Sequence, residues 1–296
     1  MSVINWHPDR PVILVTNDDG IESPGIRAAV EAVKDFGHVL VAAPTTQMTA
    51  MARSLTGDFN DHFHRSDDFS DLRDADVSAW HINASPALVV HHALGVFFST
   101  RYPDLVVSGI NYGENLGNNV SISGTIGAAY HAAAHGLPAI AVSLQTDIAH
   151  HRYYGELDWS GAVRVTRRWA DIVLSRTFRG SWHPPGGRVA RDGSTAHPAA
   201  VLPFDVLKID VPEPCPPGTE ERLTRLSQRH YFFSILESAT PDTPIREAIT
   251  HVDIDPAGLA PDDDITAVAV DRVVSVTPLM LDNTAPLDEF RAKVRL

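Results

Sequence analysis

A run of aliphatic and β-branched residues, Pro11-Val-Ile-Leu-Val-Thr16, is cut short by four turn-forming residues, Asn17-Asp18-Asp19-Gly20. An apolar run without polar alternation reads as a strand buried on both faces, the habit of parallel sheets. Pro24 suits a first helical turn, Ile26, Val30 and Val33 recur at helical spacing, and Gly37 suits the position just past a helix end. His38-Val-Leu-Val-Ala-Ala43 is a second apolar strand, so the chain opens as a βαβ unit.

The rhythm continues. Helices are predicted over 87–98, 124–135 and 159–174, and strands over 104–108, 138–143 and 204–211. Strands alternating with helices predict an α/β fold: a Rossmann-like, mostly parallel sheet with helices on both faces, plus a smaller C-terminal subdomain or extension. Residues 1–211 are expected to form the core, with strands from about 266–284 (266–270 and 273–276) added back to it. Residues 212–265 lack the βαβ rhythm and read as a subdomain or an oligomerisation extension. Residues 57–77, with seven aspartates and two histidines, read as a solvated hairpin or loop. The Gly- and Pro-rich stretch 180–203 reads as a long loop.

Composition narrows the function. The 296 residues carry a formal net charge of −13, which repels nucleic-acid backbones and argues against a duplex as partner. A small phosphorylated substrate stays open, because a bound cation reverses the local field. A single cysteine, Cys215, allows neither an intrachain disulfide nor a thiolate zinc cluster. No stretch has the length of a membrane span, and no signal-type apolar core follows Met1, so a soluble cytoplasmic protein is expected.

In a parallel sheet, ligands gather at the carboxyl ends of the strands. Three polar stretches follow strand ends there: 17–20, 44–56 and 108–123. Asp18 and Asp19 are adjacent acids whose mutual repulsion a hard divalent cation would relieve, although Asn, Asp and Gly equally make a plain turn. Ser108-Gly-Ile-Asn111-Tyr-Gly-Glu-Asn115-Leu-Gly-Asn-Asn119 offers amide oxygens to a metal and amide donors to a phosphate. Ser121-Ile-Ser123-Gly124-Thr125 opens a helix, where hydroxyls and free N–H groups bind anions and where Ser123 would also serve as a simple cap. His131 and His135 stand four apart without an acidic third ligand near in sequence, and read as partly exposed helix positions. The adjacent pairs His91–His92 and His150–His151 do not share a face and read as non-catalytic.

In order along the chain, these motifs resemble the SurE family, the stationary-phase survival proteins that act as nucleotidases. The matching pieces are Ile13-Leu-Val-Thr-Asn-Asp-Asp-Gly-Ile21, Pro24-Gly25, Ala43-Pro44, Ser54-Leu-Thr56, Pro103-Asp-Leu-Val-Val-Ser-Gly-Ile-Asn111, Asn115-Leu-Gly117, Ser123-Gly-Thr125 and Gly136-Leu-Pro-Ala-Ile-Ala-Val-Ser143, with weaker echoes at Ile209-Asp-Val-Pro212 and Asp264-Ile-Thr-Ala-Val268. The resemblance implies hydrolysis of nucleoside 5′- or 3′-monophosphates, or another small phosphomonoester, by a phosphoric monoester hydrolase of the 5′-nucleotidase or acid phosphatase type. It implies one divalent metal per subunit, Mg²⁺ or Mn²⁺ with Ca²⁺ as a crystallisation substitute, and a homodimer or homotetramer. Asp18, Asp19 and Asn111 would be catalytic and would ligate the metal. Asn17, Asn115, Ser123, Gly124 and Thr125 would hold substrate.

The chain departs from the family in three places. The fourth ligand is a serine within Asn-x-Ser-Gly, where Gln47-Met48-Thr49-Ala50 stands; Thr49 keeps a hydroxyl, but Ala50 lacks glycine's access to positive φ. Ala84-Ser-Pro-Ala-Leu-Val89 replaces a usual Gly-Thr-Pro-x-Asp-Cys, and His131 replaces a Glu. The alternative is therefore a divergent nucleotide- or metal-binding protein with weak or no hydrolase activity. An aspartyl-phosphate mechanism would need its aspartates spaced by one residue and a distant lysine, and none of the three lysines lies in the motif loops. A dinucleotide-dependent dehydrogenase fails because no Gly-x-Gly-x-x-Gly follows the first strand.

Overall fold

Strand β1 (Val12–Thr16) lies at the centre of a nine-stranded sheet and is wholly buried. Its side chains alternate between two cores: Ile13 and Val15 face one, Val12 and Leu14 the other. The computed structural model that shows this describes residues 6–7, 9–99, 101–147, 154–177, 202–236, 239–244, 247, 249–252 and 258–294.

Helix α1 (Pro24–Val33) follows β1, with Pro24 in its first turn and the Ser23 hydroxyl accepting the Ile26 amide at 3.4 Å. Ile26, Val30 and Val33 are buried as their spacing predicts. Gly37 serves a different end from the expected one. The helix closes at Lys34, and a Cβ at Gly37 would stand 2.1 Å from the Pro11 carbonyl oxygen, so glycine is needed for close backbone approach. Strands β2 (His38–Pro44), β3 (His64–Arg65) and β4 (Val77–Ile82), helix α2 (Pro86–Val96), strand β5 (Leu105–Tyr112), helix α3 (Gly124–Ala134), strand β6 (Ala139–Leu144), helix α4 (Ser160–Arg176) and strand β7 (Val206–Val211) continue the alternation. The sheet order is β3-β4-β2-β1-β5-β6-β7, then β11 (Val274–Leu279) and β8 (Glu221–Leu223). The strands from β4 to β7 pair in parallel, while β3 and β11 run antiparallel to β4 and β7. Helices α1 and α4 cover one face, α2 and α3 the other. Strands β9 (Phe232–Ile235) and β10 (Ile249–Val252) form a separate antiparallel pair, and helix α5 (Leu287–Val294) follows β11. No helix among the described residues is long and apolar enough to cross a membrane.

Two sequence readings are corrected. Strand β5 runs on to Tyr112, so residues 109–112 are strand where a loop is predicted; its register with β6 shifts between Ser108 and Asn111. Such a bulge re-aims the side chains beyond it. Thr266–Val270 is a π-helical turn and not a strand, closed by the Asp271 amide on the Thr266 carbonyl at 2.9 Å. A five-residue apolar run carries too little periodicity to separate the two. The 57–77 stretch, read as a solvated hairpin or loop, holds the exposed strand β3, paired antiparallel with β4, and a short 3-10 helix, Ser70–Ala75. Most of the predicted 180–203 loop, and His150–His151, lie outside the described residues.

Lys208 on β7 is fully buried and ion-paired with Asp210 and with Asp264, the latter at 3.0 Å. Burial pushes its ammonium down, but the two carboxylates outweigh that and hold it above the ordinary lysine value. Asp210 and Asp264 in turn accept the amides of Asn115 (2.7 Å) and Gly117 (3.0 Å). Lys208→Met leaves two buried carboxylates without their counter-charge, and a loss of about 3–5 kcal/mol in urea unfolding is expected. A loss below about 1 kcal/mol would remove the triad as an anchor of the 115–117 loop.

Candidate active site

The sheet grows in opposite directions from β1 and β5, so their carboxyl ends open a crevice at the topological switch point. Asp18 and Asp19 follow β1, and Asn111 stands next to last in β5, at this point. With Thr49, Asn115 and Ser123 they line a small cleft of about 150 Å³.

Asp18 is buried against the start of α3. The Thr125 hydroxyl and the amides of Gly124 and Thr125 donate to its carboxylate. The anion at this helix N-terminus is thus the protein's own carboxylate, where a substrate phosphate is predicted. A Cβ on Gly124 would come within 2.7 Å of Asp18 Oδ2, which ties glycine to that position. Gly124 and Thr125 therefore position Asp18, and neither lines the cleft. Asp19 accepts the Tyr112 amide at 2.9 Å and the Gln47 side-chain amide at 3.2 Å. Asn111 Nδ2 donates to the Gly113 carbonyl at 2.6 Å, leaving its Oδ1 as acceptor.

Ser123 caps α3, its hydroxyl accepting the Ile126 amide at 3.2 Å. Asn115 Nδ2 is braced on the Ser143 hydroxyl at 2.9 Å. Asn17 is not brought into the cleft: its amide donates to the Gly20 carbonyl and the Ser23 hydroxyl, at 3.0 and 2.8 Å, and locks the turn into α1. Ala50 takes the left-handed conformation, φ 62°, despite its methyl group, at an expected local cost of about 1–2 kcal/mol.

Sequence reasoning missed several wall residues. Tyr112, Glu114, Asn119, Ile122 and Phe232 line the cleft. Asn119 Oδ1 accepts the Tyr231 and Phe232 amides at 2.7 and 2.9 Å, drawing β9 over the opening. Tyr154 donates its hydroxyl to the Asp19 carbonyl at 2.8 Å. Glu114, quoted only as part of a motif, is buried, pushed up to about 7 by desolvation, and accepts the Thr146 amide at 3.1 Å. Outside the cleft, His131 is buried, contrary to its reading as partly exposed, and packs against His135 and His91.

Desolvation is the main cause that pushes the Asp18 carboxyl up to about 6 and the Asp19 carboxyl up to about 7, with the Asp18 charge adding to the second. Both lie above the ordinary value of 3.8. Between about pH 4 and pH 7 the native state therefore holds more protons than the unfolded one, and the ion-free protein loses stability as pH rises through that window. Asp18→Asn is expected to stabilise the ion-free protein by roughly 1–3 kcal/mol near pH 8 and by little near pH 4.5, read by urea unfolding in chelator. An equal gain at both pH values would trace the effect to packing and not to charge.

The family model described as "Survival protein SurE" matches residues 13–232. A protein from Thermococcus gammatolerans named 5′-nucleotidase SurE is 36% identical over 285 residues, spanning 95% of this chain and 94% of its own. One of the same name from Thermococcus kodakarensis is 37% identical over 276 residues, 92% and 93% of the two chains. The crystal structure of SurE protein from Aquifex aeolicus superposes with a TM-score of 0.68 at 26% identity, covering 96% of this chain and 98% of that one. With the matched motifs gathered at one switch point of a shared fold, the chain belongs to the SurE family.

Proposed function

We propose that the chain is a metal-dependent phosphomonoesterase that hydrolyses nucleoside 5′-monophosphates, and by the same chemistry 3′-monophosphates, to nucleoside and phosphate. The observation that carries this is the Asp18–Asp19 pair: two adjacent carboxyls, 4% and 5% exposed, with no basic side chain paired to either among the described residues. Two desolvated acids beside a cleft lined by the oxygens of Thr49 and Asn111 form a hard donor set, which suits Mg²⁺, Mn²⁺ or Ca²⁺. Asp18, Asp19, Thr49 and Asn111 would hold one such ion. When bound, it supplies Lewis-acid polarisation of the phosphoryl group and activates water.

The chain's own residues do the rest. Thr125 and Gly124 fix Asp18, and Tyr112 and Gln47 fix Asp19, so the carboxylates that orient the attacking water need no rearrangement. Asn115 and Ser123 offer amide and hydroxyl donors to the phosphoryl oxygens. Ile122 and Phe232 give the cleft an apolar wall against which a nucleoside base can pack. Association of copies into a dimer or tetramer is supported by the exposed apolar face of α5, where Leu287, Phe290 and Val294 stand at helical spacing.

Phosphate release from nucleoside monophosphates is expected with Mg²⁺ or Mn²⁺ and is expected to vanish in chelator. Asp18→Asn should lower kcat by roughly 10³-fold or more with the fold intact by circular dichroism. Turnover like the unsubstituted protein's in that variant would overturn the reading. Phe232→Ala should raise KM for nucleoside monophosphates by roughly 5–30-fold, as loss of one base–aromatic contact implies, and leave KM for a base-free phosphomonoester unchanged. Equal changes for both substrates would remove Phe232 from base contact.

A further inference from the structure

A second group of ligand atoms lies on the far part of the helix that begins at the cleft. His131 stands in the last turn of α3 and His135 caps its C-terminus, and His91 faces them from α2. One ligand nitrogen from each lies within 4.8 Å of the other two. His131 Nε2 and His91 Nδ1 are 3.3 Å apart. Two imidazole nitrogens bound at 2.0–2.1 Å to a tetrahedral Zn²⁺ are about 3.3–3.4 Å apart, so one edge of such a site is already formed. The His135 nitrogen, within 4.8 Å of the other two, supplies the third corner.

We propose that His91, His131 and His135 form a binding site for one borderline divalent transition ion, Zn²⁺ by its ligand preference, pinning α2 to α3 and leaving a fourth position open. None of the three lines the cleft, and the two sites differ in chemistry. The cleft is an oxygen set that suits Mg²⁺, whereas three imidazoles without a carboxylate suit Zn²⁺, Co²⁺, Ni²⁺ or Cu²⁺. The ligands also match the state a metal needs. Burial first, then the neighbouring histidines and Arg53, push the His131 imidazole down to about 4, so it is neutral near pH 7. His91 is exposed, which gives an ion a route in and a water or anion a place to complete a tetrahedron. The other grouping, Asp61, His62 and His64, is more exposed, and its Asp61 is already engaged by His64 and the Asn83 amide.

Cobalt distinguishes the sites, because tetrahedral nitrogen-rich Co²⁺ absorbs intensely in the visible and oxygen-ligated octahedral Co²⁺ only weakly. Titration of the full metal-free chain with Co²⁺ is expected to develop an intense band that saturates at one ion per chain and is bleached by one equivalent of Zn²⁺. His91→Ala, at an exposed position, should weaken Co²⁺ binding by about 10²-fold or abolish the band, and His135→Gln should do the same. Phosphatase turnover of His91→Ala at saturating Mg²⁺ should match that of the unsubstituted chain. Absence of the intense band, its survival in both variants, or its loss in His64→Ala but not in His91→Ala would overturn the proposal.

Discussion

Two neighbouring carboxyls kept out of water at the end of the central strand impose the terms on everything around them. Burial alone raises both toward neutrality, and each makes the other harder to ionise. The fold meets this with fixed dipoles. Asp18 sits on the positive end of α3, and Asp19 takes an amide from the last residue of β5. Strand β5 pairs directly with β1, and α3 follows β5 in the chain. The charge pair and the sheet topology are therefore one problem with one solution.

A second buried charge group holds the opposite wall. Lys208 and its two aspartates are sealed beneath the 113–119 loop, and every carboxylate oxygen left over from the ion pairs takes a backbone amide or meets the lysine. Such a triad brings no clear gain in stability over apolar packing, but it fixes where its partners lie. Through Asp210 and Asp264 it ties three distant segments, β7, the Asn115 loop and the turn before Thr266, to one point. The wall that carries Asn115 is thus anchored to the sheet through β7.

Much of the scaffold was legible in the residues. The buried parallel strands announce themselves as unbroken apolar runs, and α1 carries its cap and its proline in view. The acids at 18 and 19 were legible because two charges at the end of such a strand demand an explanation. Other features were not. Gly109 and Asn111 look like loop residues, yet β5 absorbs them through a register shift that only its pairing with β6 reveals. The Ser-Gly-Thr start of α3 pointed to an anion, and one is there, but it comes from the same chain. Lys208, Asp210 and Asp264 are isolated polar residues in sequence, and their meaning lies in a contact between positions 56 apart. His91 and its neighbour His92 do not share a face, and the imidazole that His91 meets, His131, stands on another helix.

The bracing of the 115–117 loop by Asp264 bears on how the molecule is made. The carboxylate that holds this loop stands 147 residues away from the Gly117 amide it accepts. Closing a loop of that length costs chain entropy before the contact rewards it, so this side of the cleft is expected to be completed late in folding.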